Sequence, residues 1–147
     1  MDVAASALIA RLELKPHPEG GWYRETVRAQ VEPDGRGACT SILFLLEAGQ
    51  RSHWHTVDAA EIWLFHAGDP LRLSLAASEQ GPVRSVVLDA DVLAGHVPQH
   101  VVLPGEWQCA EPAPVAQAGY SLVSCLVVPG FDFAGFTLAP PGWSPEF

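Results

Sequence analysis

Basic residues are scarce in this chain: 8 Lys and Arg stand against 17 Asp and Glu in 147 residues, a formal charge of -9. That balance repels a phosphate backbone, and no basic cluster forms a local exception, so nucleic acid is not an expected partner. Cysteine is scarce too. Cys39, Cys109 and Cys125 are odd in number, far apart and set among apolar or small residues. They read as buried free thiols in a reducing compartment, not as a disulfide frame or a thiolate metal site. Long hydrophobic runs are missing: none reaches the roughly 18 to 20 residues that a bilayer span needs. Met1 to Leu14 carries Asp2 where a secretory leader would have a basic stretch. These absences predict a soluble, cytoplasmic protein with no membrane partner.

What is present fits one domain over residues 1–147, long enough to bury a core without staples. Ala5, Leu8, Ile9 and Leu12 follow a potential Asp2 cap at helical spacing, which predicts one short amphipathic helix over about 3–14. Pro16 and Pro18 end it. From there the apolar period is two, and glycine, proline and acidic turns separate the runs. Strands are expected near 22–30, 39–48, 51–56, 61–67, 70–77, 83–88, 99–103, 106–111, 119–128 and 133–138. So many short strands over about 20–140 make a sandwich or barrel. The tail "LAPPGWSPEF" is expected to pack on the surface through Trp143 and Phe147.

The segment "RSHWHTVDAAEIW" carries the chemistry. On a strand, residues i and i+2 share a face, so His53 and His55 are expected to point one way and Trp54 the other. After a short connection Glu61, Trp63 and Phe65 share a face of the next strand. If the two strands pair, Glu61 reaches the same point as the imidazoles. Two neutral imidazoles and a carboxylate suit a divalent first-row ion (Fe, Mn, Ni, Co, Cu or Zn) with positions left for substrate. The same three groups can instead serve as acid and base without metal.

Gly49, His53, His55, Glu61 and Gly68 resemble the first signature of the cupin superfamily, G-x5-H-x-H-x3,4-E-x6-G. The chain has three residues before the first histidine and five before the glutamate. The second signature is matched weakly by "LPGEWQCAEP", where Gln108 stands at the place of the fourth ligand. The stretches "HPEGGWYRET", "HWHTVDAAEIWLFHAGDPL" and "VPGFDFAGFTLAP" together resemble cupin family 5, over about Leu14 to Trp143. The resemblance implies an all-β fold, a double-stranded β-helix or jelly-roll barrel like that of dTDP-sugar epimerases, with the single N-terminal helix added. It also implies a homodimer and a metal set of His53, His55, Glu61 and Gln108.

Around that centre Trp63 and Phe65 are expected to line the cavity. Tyr23 and Arg24 are candidates for holding a polar or anionic substrate group, a task suited to arginine's fork. His66 falls on the opposite face by parity, and His17, His96 and His100 sit beside prolines without a readable partner. Two functions follow. One is an enzyme acting on a small polar or carbohydrate-like molecule through His53, His55 and Glu61, of isomerase, epimerase, lyase or metal-dependent oxygenase type. The other is a cupin that binds a small molecule without metal and without turnover.

Overall fold

The computed structural model describes residues 3–29, 35–114 and 117–147. Its helix, α1 (Val3–Arg11), is shorter than the apolar spacing suggested. Glu13 adopts φ 57, a left-handed cap, and Leu14 N–H returns to the Ile9 carbonyl at 2.9 Å. That closure turns the chain into strand geometry before the prolines are reached. The Asp2 cap lies outside the described residues.

All ten expected strands are present, joined by a two-residue strand β1 (Lys15–Pro16). They are β2 (Trp22–Ala29), β3 (Cys39–Glu47), β4 (Ser52–Val57), β5 (Ala60–Gly68), β6 (Leu71–Ala76), β7 (Arg84–Leu88), β8 (Gln99–Val102), β9 (Trp107–Pro112), β10 (Tyr120–Val128) and β11 (Phe136–Leu138). The last is shorter than expected, because the Asp132 carboxylate accepts from Ala134 N–H and turns residues Phe133–Gly135 into a 3-10 helix. The strands form two antiparallel sheets, one in the order β1-β2-β3-β10-β5-β8 and one in the order β11-β4-β9-β6-β7. No described helix is long and apolar enough to cross a membrane.

Alternation builds the core. In "LRLSLA" of β6 the buried Leu71, Leu73 and Leu75 face Phe44, Leu46, Trp63 and Val123 of the other sheet, with Arg72 and Ser74 turned away. Each buried leucine contributes roughly 1.5–3 kcal/mol relative to an exposed one. The β5–β6 turn is fixed as tightly. Gly68 has φ 89, and a Cβ there would stand 2.3 Å from the Tyr120 carbonyl. Beside it the buried Asp69 carboxylate accepts three backbone N–H groups, from Gln117, Ala118 and Gly119, at 2.8–2.9 Å. Burial works against that charge, but the N–H groups outweigh it and hold the carboxyl below its usual range.

Candidate active site

Between the sheets an open-ended cavity of about 360 Å³ is lined from β1 and the turn after it, β2, β3, β4, β5, β10, β11 and the segment before β11. Two bulges decide what faces it. In β2 the pairing slips between Glu25 and Val27, so Glu25 opposes Ile42 and Arg28 opposes Thr40. The extra residue brings Arg28 to the inner face, which strict alternation would have given to Val27. In β4, Ser52 opposes Ala110 and His55 opposes Gln108: three steps on one strand against two on the other.

The β4 bulge separates the two histidines. His55 turns inward and is buried, while His53 lines a second cavity on the outer face of that sheet, together with Trp54. The His53 ring nitrogen Nε2 lies 2.9 Å from the Pro140 carbonyl. The expectation that His53 and His55 converge is therefore corrected, because i and i+2 share a face only in a regular strand. Among the described residues no group of three or more His, Cys, Asp or Glu side chains is arranged to hold a metal ion. The quartet His53, His55, Glu61 and Gln108 does not fit one, since its first member faces away and the others are engaged with protein groups.

A residue from another part of the chain takes the place of His53. The turn "HPEGG" is tight: His17 N–H bonds the Gly21 carbonyl at 2.9 Å, and Gly20 N–H bonds the His17 carbonyl at 3.0 Å. Gly20 has φ 110, and a Cβ there would be 2.1 Å from the Arg51 carbonyl, so only glycine lets the turn lie against the start of β4. The Glu19 carbonyl accepts the His53 backbone N–H at 2.8 Å. This docking drives the Glu19 side chain inward, where its Oε2 is 3.1 Å from His55 Nε2.

The proton inventory follows from the partners. His55 Nδ1 is 2.7 Å from the His53 carbonyl, which can only accept, so Nδ1 carries a hydrogen. His55 Nε2 and Glu19 Oε2 then share one proton between them. Burial pushes the Glu19 carboxyl up to about 8, and burial likewise holds His55 below its ordinary value against the pull of Glu61. Near neutral pH the proton therefore resides on Glu19, and the imidazole is neutral. His17 accepts the Glu19 backbone N–H at its Nδ1, at 3.1 Å, and burial lowers it to about 4.

Glu61 stands at the closed end, held from behind. Trp63 Nε1 donates to Gln108 Oε1 at 2.9 Å, and Gln108 Nε2 donates to Glu61 Oε1 at 2.8 Å. The indole thus fixes which way the amide points, and the amide fixes the carboxylate. Burial raises Glu61 to about 7, opposed by His55 and by the Gln108 hydrogen bond and helped by the neighbouring Glu19 carboxyl. The Cys125 thiol, kept protonated by burial, also bonds Glu61.

Tyr23 and Arg24, which alternation would set on opposite faces of β2, both line the cavity. Trp63 and Phe65 do not: they share the inner face of β5 with Glu61 but lie beyond the cavity's end, in the core with Phe44. Gln108 is also behind the cavity wall, where it supports Glu61. His66 is exposed and 2.6 Å from Ser124 Oγ on the outer face. Glu19 and His17 had no assigned role in the sequence. Their signal was an acid directly before a glycine pair that forces a turn.

A two-sheet jelly roll with its polar groups gathered in the barrel defines a cupin. The chain belongs to the family described as Cupin superfamily (DUF985), Cupin_5, whose model matches residues 6–139. It is similar to a hypothetical protein from Leishmania major, at 38% identity over 92% of this chain and 86% of that one, with TM-score 0.82. It is similar also to protein SO0799 from Shewanella oneidensis, at 40% identity over 92% and 84%, with TM-score 0.84. Oxalate decarboxylase from Bacillus subtilis shares the fold alone, at 14% identity over 84% of this chain and 29% of that one, with TM-score 0.60. No curated protein matches.

Proposed function

We propose that the protein is an enzyme that moves a proton at a carbon next to a carbonyl in a small polar or carbohydrate-like molecule, as an isomerase or epimerase does. The observation that carries this reading is the placement of neutral His55 between two buried carboxyls, Glu19 and Glu61, at the closed end of an open cavity. With a pKa of about 7, Glu61 serves as base and as acid in one pH range. It takes the proton from carbon, the C–H electron pair moves into the carbonyl and leaves an enolate, and return of a proton to that carbon completes the exchange. In this reading the proton shared by Glu19 and His55 is lent to the enolate oxygen. A small-ligand binder without turnover is the second reading, favoured by the internal bonding of Glu61 to Gln108.

Incubation in D2O with small 2-oxo acids, 2-hydroxy acids and sugars tests it, with loss of C–H proton signal as readout. Exchange of at least one compound is expected, slowed by roughly 10²-fold in Glu61→Gln, the usual size of a lost acid–base contribution, while the variant still binds. Binding without exchange by the unmutated protein would establish the second reading.

A further inference from the structure

The mouth of this cavity carries a charge opposite to that of the molecule. Of the 8 Lys and Arg in a chain of net charge -9, Lys15, Arg24 and Arg28 all line it. Lys15 and Arg28 are exposed, and the Arg24 side chain is 41% exposed, so the three stand at the open end. Glu25 bonds Arg28 through both carboxylate oxygens, at 3.0 Å each, and answers that charge. Glu13 reaches Arg24 at 3.2 Å, but its side chain is 79% exposed. An exposed pair of this kind is worth about 0–1 kcal/mol, so an entering anion displaces Glu13 readily. The Lys15 ammonium sits over the Tyr23 ring, 5.4 Å from its centroid.

One wall of the cavity is aromatic. Phe131, Phe133 and Phe136 pack edge to face, with centroids 4.8–5.9 Å apart. Phe133 is 54% exposed, a large apolar surface left at the entrance. Phe136 continues inward to 5.3 Å from the His55 ring. Arg28 donates to the Phe131 carbonyl at 2.9 Å, and Lys15 and Arg24 flank Tyr23, so cations, aromatic wall and acid–base groups all line one cavity.

We infer that the cavity takes a small organic anion with a flat apolar body, its carboxylate at Lys15 and Arg24, its body against Phe131 and Phe133, and its far end toward His55. A volume of about 360 Å³ is at the lower end of the ~300–1,000 Å³ of small-molecule sites, which limits the body to about one ring. The inference rests on the site reading only for which end reacts.

Titration of the full chain by NMR separates the contributions, with 3-phenylpropanoate, its neutral amide and propanoate as probes. The aromatic acid is expected to bind about 10-fold tighter than either control, with the preference over the amide shrinking as salt rises. The double variant Lys15→Gln, Arg24→Gln should erase the acid–amide difference. Phe133→Ser should weaken acid and amide together. All three residues are exposed enough for the variants to fold, and thermal unfolding checks that. Equal binding of acid and amide, tighter binding of a neutral sugar such as methyl glucoside, absence of acid binding, or a preference that survives the double variant would each overturn the inference. The binding preference is read without turnover, so loss of the proton-exchange reading leaves this result standing, and the reverse holds as well.

Discussion

Strand β4 separates two cavities and supplies one histidine to each. The outer is the larger, about 590 Å³ against about 360 Å³. It is lined by Arg51, Arg72, His53 and Trp143 among others. Arg72 pairs with Glu111, and Arg51 meets the Cys109 sulfur at 2.7 Å, a thiol that burial keeps neutral. The inner cavity instead removes two carboxyls and two imidazoles from water and leaves no full counter-charge beside them. Position relative to solvent, and not size or residue type, is what prepares histidine and glutamate for proton transfer.

The largest effect should come from exchanging the fates of the two histidines. His55→Asn is expected to lower proton exchange by about 10²–10⁴-fold, and His53→Asn to leave it within about twofold, measured as deuterium incorporation in the same assay. A comparable loss in both variants would break the distinction between the cavities.

Next comes pH. Glu19 and Glu61 have folded values, about 8 and about 7, above the 4.5 of an ordinary glutamate, so the folded state holds protons that the unfolded chain has released, and stability falls as pH rises toward those values. His17 at about 4, and His55 below its ordinary 6.5, act with the opposite sign: the unfolded chain binds those protons first on acidification, so stability rises with pH up to about 6.5. The two trends oppose each other between about pH 4.5 and 6.5. The carboxyls alone act from there to about 8, with a loss on the order of 2 kcal/mol. Urea unfolding across pH 5.5–8.5 should show this decline, and Glu19→Gln should flatten it. Cys125, kept protonated throughout, adds no slope in that window.

Trp63→Phe should act more weakly. It removes the N–H that orients Gln108, costs about 1–2 kcal/mol in stability, and slows exchange several-fold through a loosened Glu61. The smallest expected effect is that of a chelator. Dialysis against EDTA should leave the Tm unchanged, because His53 and His55 lie on opposite sides of β4. A Tm rise on adding Ni or Zn that disappears in His53→Ala and equally in His55→Ala would place both histidines on one ion and undo the comparison.

Much of the barrel was legible in the chain because alternation such as Leu71, Leu73, Leu75 is a local property that survives into the packed sheet. The inward faces of His55 and Glu61 were legible for the same reason, although β4 and β5 lie in different sheets and do not pair; alternation put Tyr23 and Arg24 on opposite faces of β2, yet both reach the cavity. His53 was misplaced because nothing within "SHWHT" signals a bulge; the slip is imposed by β9 across the sheet. Trp63 and Phe65 were given the correct face, but where a cavity ends along that face depends on what fills it from the other sheet. Glu19 entered through a turn whose destination depends on contact with Arg51, 32 positions later. Long-range docking of this kind leaves no period to read.

The strand order has a consequence in time. The central pairings of the six-stranded sheet join β10 to β3 and to β5, with Cys125 between Ile42 and Trp63. During synthesis β3 and β5 emerge with a gap between them that only Tyr120–Val128 can fill, about 80 residues after β3 began. Until then both strands expose edges and the wall behind Glu61 is missing, so the nascent chain has to wait, prone to wrong pairing, before barrel and site close in one late step.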